Sequence, residues 1–169
     1  MKIFLIGFMG VGKTSLGKAL AKQLQLKFYD LDKEILSSNN LSSIGDIFKD
    51  QGNEGFRSIE KIELQRFKDL DNFVLATGGG APCYFDNMEF MNKTGLTIFI
   101  DASISELINR LNSSTKERPM LNGLNDSEKE IFITKLYSER LPFYNKATLN
   151  IKSNRLRVDD LMNLIKLSQ

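Results

Sequence analysis

Residues 7–14, with the sequence GFMGVGKT, match the pattern G-x-x-x-x-G-K-[ST] of a phosphate-binding loop. Gly10 and Gly12 allow backbone N–H groups to turn inward and approach phosphate oxygens closely. Lys13 is placed to reach the β- and γ-phosphates, where it has a catalytic role, and the hydroxyl of Thr14 is a ligand for magnesium. The segment lies between a short apolar strand and an amphipathic helix, as the motif requires. We therefore predict that a nucleoside triphosphate binds through Gly10, Val11, Gly12, Lys13, Thr14 and Ser15.

Two aspartates after the second apolar segment are candidates for the magnesium carboxylate. Asp30 and Asp32 are two residues apart, so on an extended segment their side chains point the same way. One of them would serve the metal, while the other accepts the proton of a substrate hydroxyl. Asp101 also follows an apolar strand, but it comes just before Ser103, which with Glu106 predicts a capping box. We therefore interpret Asp101 as a residue of a helix start.

The composition restricts the chemistry that this chain can perform. Its 169 residues include no histidine, which excludes Ser–His and Cys–His nucleophiles and histidine-bound metals. Any metal should therefore be a hard, oxygen-bound ion. The single cysteine, Cys83, excludes an internal disulfide and fits a reducing, cytoplasmic location. A net charge of +2 and the lack of a long apolar run lead us to expect neither nucleic-acid nor membrane partners.

Five short apolar segments alternate with helical patterns along the chain. This alternation predicts one α/β domain over residues 1–169, in which a five-stranded parallel sheet has helices on both faces. The carboxyl ends of such strands share one edge, where ligands bind. Residues 112–126 are polar and predict a mobile loop. The predicted strands are 2–6, 27–29, 73–76, 96–100 and 147–152; the predicted helices include 44–51, 54–68, 86–93 and 127–145, with further helices ending near 111 and beginning near 158.

Six segments, in this order, give the chain a resemblance to shikimate kinase over nearly its full length. Each segment except the phosphate loop is weak by itself, but their order and spacing together are specific. The segments are GFMGVGKT at residues 7–14, FYDLD at 28–32, GFRSIE at 55–60, TGGGA at 77–81, RPML at 118–121 and RLPFY at 140–144.

The resemblance implies a P-loop kinase fold with a mobile lid at about residues 112–124 and substrate-binding helices within about 32–68. It also implies a monomer that uses ATP and Mg²⁺. The implied reaction is phosphorylation of the 3-hydroxyl of shikimate, on the route to chorismate and the aromatic amino acids.

The resemblance also implies roles for individual residues. Asp32 would hold the substrate hydroxyls and act as the candidate base, which leaves Asp30 for the metal with Thr14. Arginine suits a carboxylate substrate because its planar guanidinium binds the two oxygens together. The implied substrate site comprises Asp32, Arg57, Gly78, Gly79, Gly80 and Arg140. Arg118 would close over the phosphates as a catalytic lid residue, and Arg110 and Arg155 would flank the adenine.

Simpler interpretations stay open for these residues. Arg57 and Arg140 lie on predicted helices and would also serve as surface ion-pair partners. Glu60 comes three residues after Arg57 and can orient it along a helix face. A gluconate kinase or a nucleoside monophosphate kinase would share the loop and fold, although neither explains the FRxxE segment and the glycine triplet. A GTPase should carry N-K-x-D after a strand, whereas residues 145–148 read NKAT.

Overall fold

The computed structural model describes residues 1–114, 119–153 and 157–167. Five parallel strands form one sheet, as the sequence predicted, and their order across the sheet is Lys27–Asp30, Phe73–Ala76, Lys2–Ile6, Leu96–Asp101 and Leu149–Lys152. The central strand pairs with its two neighbours so that Ile3 lies beside Val74 on one side and Leu96 on the other. The strands are β1 (Lys2–Ile6), β2 (Lys27–Asp30), β3 (Phe73–Ala76), β4 (Leu96–Asp101) and β5 (Leu149–Lys152).

Helices cover both faces of this sheet, which explains why its central strands are continuous apolar runs rather than alternating ones. Phe4 of β1 and Phe73 of β3 are fully buried and meet edge to face, with ring centroids 5.5 Å apart. The helices are α1 (Lys13–Leu24), α2 (Leu31–Ser38), α3 (Ile44–Gln65), α4 (Asn87–Thr94), α5 (Ile104–Asn112), α6 (Asp126–Tyr144) and α7 (Val158–Leu167). Among the described residues, short 3₁₀ turns lie at Arg66–Asp69, Ala81–Cys83 and Pro119–Leu121.

The helical patterns did not predict α2, although it lies at the start of the range 32–68 in which the resemblance implies helices, and its presence corrects the expected geometry of the two aspartates. Asp30 ends β2, whereas Asp32 lies in the first turn of α2 rather than on an extended segment. The missed signal is the pair Leu31 and Ile35, which are four residues apart and fully buried. Side chains two residues apart point to the same side only on an extended strand. Because Asp32 has helical backbone, that rule does not apply to Asp30 and Asp32.

The capping box predicted at Ser103 is confirmed in part. Ser43 and Ser103 accept hydrogen bonds from the backbone N–H groups of Asp46 and Glu106. The Glu106 carboxylate, however, binds Arg110 and Ser153 instead of returning to the start of α5, so the reciprocal half of the capping box is absent.

The two helices predicted within residues 44–68 form the single span α3, which is interrupted by a kink at Gly52. There φ is 68° and ψ is −170°, a backbone conformation that glycine adopts at little cost. Helix α5 continues to Asn112, into the first position of the predicted lid. Arg118 of the lid and Arg155 lie outside the described residues. Within the described ranges, every helix is too short or too polar to cross a bilayer.

The packing of α1 on the sheet leads to a stability prediction. A Cβ atom at Gly17 would lie 2.5 Å from Cε2 of Phe28 and 3.1 Å from Cδ1 of Leu5. We expect Gly17→Ala to lower the free energy of unfolding by about 1 kcal/mol, because overpacking outweighs the gain in helix propensity. Urea unfolding would measure this change.

The matched control is Gly45→Ala in the first turn of α3. Its new Cβ would meet only the Ser43 hydroxyl oxygen, at 3.6 Å, which is an ordinary contact. That variant should be as stable as the parent chain or slightly more so. Equal stability changes for the two variants would contradict the packing argument.

Candidate active site

The phosphate-binding loop connects the carboxyl end of β1 to the amino end of α1. Gly10 and Gly12 have φ values of 80° and 98°, in the left-handed region that glycine favours. Gly12 directly precedes α1, so the positive end of that helix points at the loop. Gly7 is also required, since a Cβ there would lie 2.7 Å from the carbonyl oxygen of Ile100.

Lys13 extends back over the loop that precedes it. Its Nζ donates to the carbonyl oxygens of Gly7 at 2.7 Å and of Phe8 at 2.9 Å, and the residue is buried. These bonds hold the ammonium group next to the turned-in amides of the loop. The side chain therefore lies against the loop that the sequence predicts to bind phosphate, and its contact with the β- and γ-phosphates stays a prediction.

The hydroxyl of Thr14 donates a hydrogen bond to Oδ2 of Asp30 at 2.8 Å. Register places Asp30 beside Ala76, so the carboxylate stands at the shared edge where β2 and β3 end. The described residues contain no cluster of three or more His, Cys, Asp or Glu side chains that would hold a metal by itself. One hydroxyl and one carboxylate fit Mg²⁺, which keeps several waters and binds through few protein ligands together with phosphates.

Asp32 faces a different neighbour from Asp30. Its Oδ1 lies 3.1 Å from the point where a Cβ of Gly78 would be, next to the glycine triplet that follows β3. Asp30 therefore meets Thr14, whereas Asp32 lies beside the triplet. The separate roles expected for the two carboxylates, one at the metal and one at a substrate hydroxyl, stay predictions.

The triplet also meets a buried ion pair on α3. Nη1 of Arg57 donates to Oε2 of Glu60 at 2.6 Å, and both side chains are buried. A Cβ at Gly78 would lie 2.9 Å from Oε1 of Glu60, and one at Gly80 would lie 2.5 Å from Nη2 of Arg57. The predicted orientation of Arg57 by Glu60 is thus observed, in the interior of the protein rather than on its surface.

Two polar atoms of this pair stay unsatisfied. Nε of Arg57 and Oε1 of Glu60 are buried and have no hydrogen-bond partner among the described residues. Burial raises the pKa of Glu60, and the Arg57 guanidinium opposes that rise. Unsatisfied buried groups are rare in folded proteins, and here they mark a place that suits a polar ligand.

Arg140 of α6 approaches the triplet from another side. Its Nη1 lies 3.3 Å from the Cβ position of Gly79, and its guanidinium carbon is 5.7 Å from the ring centroid of Phe8. The hydroxyl of Tyr144 donates to the carbonyl oxygen of Gly79 at 2.5 Å. The sequence did not single out Tyr144, although it lies within the RLPFY segment.

Arg110 lies against the phosphate-binding loop. Its Nη1 donates to the carbonyl oxygen of Val11 at 2.6 Å, and its Nη2 donates to Glu106 at 2.5 Å. Glu106 also accepts a hydrogen bond from Ser153, directly after β5. This position is next to the phosphate-binding loop, and the expected place of Arg110 beside the adenine stays a prediction.

Asp101 has no part in this arrangement. It accepts a hydrogen bond from the Tyr137 hydroxyl at 2.5 Å and forms an ion pair with Lys152. Its interpretation as a helix-start residue is wrong, because Ser103 caps α5 and the Asp101 carboxylate is directed to α6 and β5.

Comparisons with known proteins agree with this geometry. The family model described as shikimate kinase matches residues 9–166. The shikimate kinase of Bacteroides thetaiotaomicron is 42% identical over 156 residues, which are 92% of this chain and 89% of that one. That of Aquifex aeolicus is 36% identical, over 92% of this chain and 88% of the relative.

Solved structures give the same result. A crystal structure of the shikimate kinase from Bacteroides thetaiotaomicron superimposes with a TM-score of 0.93 at 39% identity, covering 98% of each chain. The shikimate kinase from Acinetobacter baumannii, solved in complex with shikimate, superimposes with a TM-score of 0.83 at 33% identity over 98% of this chain and 91% of that one. This chain, with its phosphate-binding loop beside a pocket of buried charges, therefore belongs to the shikimate kinase family.

Proposed function

We propose that this chain transfers the γ-phosphoryl group of ATP to the 3-hydroxyl of shikimate, yielding ADP and shikimate 3-phosphate. The observation that carries the proposal is the convergence of Asp32, Arg57 and Arg140 on the glycine triplet, next to the phosphate-binding loop. These groups match a small substrate that carries both hydroxyls and a carboxylate. The family membership of the chain supports the same substrate.

The nucleotide binds through the loop amides of residues 10–15. Lys13 exchanges its bonds to the carbonyls of Gly7 and Phe8 for bonds to the β- and γ-phosphates, where its charge offsets the charge of the transferring group. Arg110 stands beside Val11 and flanks the adenine. The roles of Arg118 over the phosphates and of Arg155 at the adenine are predictions from sequence.

Thr14 and Asp30 would hold Mg²⁺, because they place a hydroxyl and a carboxylate together beside the phosphate-binding loop. When bound, the ion neutralises the charge that develops on the phosphoryl oxygens. Removing Asp30 would leave Thr14 without its hydrogen-bond acceptor.

The substrate carboxylate binds between Arg57 and Arg140. Both guanidinium groups are buried, so water competes little for them and the ionic hydrogen bonds are strong. Asp32 orients the acceptor hydroxyl toward the phosphate and receives its proton. Phosphoryl transfer through a loose transition state needs mainly this positioning. The monomeric state and the cytoplasmic location of the enzyme remain predictions.

The first prediction for this function concerns the acceptor. We expect the purified protein to release ADP from Mg-ATP when shikimate is added, because only then is a hydroxyl held beside the γ-phosphate. A coupled ADP assay would measure the rate. Gluconate and nucleoside monophosphates serve as competing acceptors; strong turnover with either of them, and none with shikimate, would overturn the proposal.

The second prediction concerns Asp32. Asp32→Asn removes the carboxylate that faces Gly78, so turnover should fall by about 10²-fold or more while ATP affinity is kept. Asp46→Asn is the matched control, since it also removes an acid from the first turn of a helix. Steady-state kinetics and nucleotide titration measure the two effects. Full activity in Asp32→Asn would refute the assigned role.

The third prediction concerns Gly80. Its φ of −91° and ψ of −18° suit alanine, so Gly80→Ala acts through contact and not through backbone strain. The added methyl group would displace the Arg57 guanidinium, and we expect KM for shikimate to rise about tenfold or more with little change in KM for ATP. Gly45→Ala serves as the control. An unchanged KM for shikimate would show that Arg57 does not bind the substrate there.

A further inference from the structure

The turn that follows the glycine triplet contacts the active site through an aromatic ring that the proposed reaction does not use. The guanidinium carbon of Arg57 lies 4.3 Å from the ring centroid of Tyr84 and 4.9 Å from that of Phe56. The distance to Tyr84 is the shortest cation–π distance within the described residues. Tyr84 therefore contacts the one cation that is also paired with buried Glu60.

The backbone around Tyr84 holds its ring in place. Phe85, which follows it, has a φ of 52°, an uncommon conformation for a bulky residue that persists only where the surroundings impose it. Lys61 of α3 lies over the Phe85 ring at 5.1 Å and pairs with Asp86 at 2.7 Å. The N–H of Asn87 bonds to the carbonyl of Tyr84 and closes the turn. The segment is thus fastened to the helix that carries Arg57.

Arg57 needs such support because few polar contacts orient it. Its one hydrogen bond within the described residues goes to Glu60, through Nη1. Its Nε has no partner there, and Nη2 lies next to Gly80. A single bond at one nitrogen fixes the plane of the guanidinium only weakly, and the Tyr84 ring, 4.3 Å from the guanidinium carbon, restricts its rotation further.

We propose that Tyr84 is a positioning residue that holds the Arg57 guanidinium in the plane needed to bind the substrate carboxylate. The inference rests on the proposed function, because it takes Arg57 as the carboxylate-binding group. It adds a determinant that lies outside the glycine triplet and the FRxxE segment. The ring acts on the substrate only through Arg57.

The test is Tyr84→Leu beside Tyr84→Phe. Leucine removes the π-face, so KM for shikimate should rise about threefold to tenfold, while KM for ATP and kcat stay within about twofold. Phenylalanine keeps the ring and should retain the parent KM. Tyr84→Phe is therefore the matched control, since it changes the same position and removes the hydroxyl while it keeps the ring over Arg57.

A second comparison tests whether Tyr84→Leu weakens shikimate binding through the contact between Arg57 and the substrate carboxylate. The methyl ester of shikimate lacks the charge that Arg57 binds, so Tyr84→Leu should not weaken the binding of the ester measured by titration. An equal loss for acid and ester, or no loss for either, would overturn the role of Tyr84. Absence of shikimate turnover in the parent chain would instead overturn the proposed function, so the two failures are distinguishable.

Discussion

The arrangement of the site depends on the lack of side chains at residues 78–80. Atoms of the phosphate-binding loop, α2, α3 and α6 all lie within 3.3 Å of the points where Cβ atoms of these three residues would be. A side chain at any of them would push an acid, an arginine or the loop out of place. The triplet thus lets the nucleotide site and the acceptor site share one wall, which an in-line transfer between two bound substrates requires.

The same closeness places charges where water is scarce. Lys13, Arg57, Glu60 and Arg140 are each at most 8% exposed. Burying charge is costly unless the group is paired, and the Arg57–Glu60 pair is incompletely satisfied because one nitrogen and one oxygen have no partner among the described residues. The excess positive charge is explained if phosphates and a carboxylate bind beside these groups. Oε1 of Glu60 instead needs a hydrogen-bond donor, which a substrate hydroxyl would supply.

Much of the framework was predictable because its signals are local. The phosphate-binding loop is a contiguous motif, and the five strands are apolar runs whose bounds agreed within about two residues with those observed. Helix α2 was missed because its eight residues include only the Leu31–Ile35 pair as a clear apolar repeat. The Glu106 side chain was assigned to a cap because its bond to Ser153 joins residues 47 positions apart, which no local pattern reveals.

The sequence by itself determined the parallel sheet, the triphosphate loop and the candidate residues Asp30, Asp32, Arg57 and Arg140. The sheet, the loop and the aspartate pair follow from residue type and spacing, which act over a few residues, whereas Arg57 and Arg140 follow from the resemblance to shikimate kinase. Only the tertiary structure decided that Asp30 and Asp32 face different neighbours and that the Arg57–Glu60 pair is buried. It also decided that Tyr84 contacts Arg57 and that Tyr144 binds the carbonyl of Gly79. The physical reason is that burial and contact between distant segments arise from packing of the whole chain, since periodicity indicates which face of an element is apolar but not what that face meets.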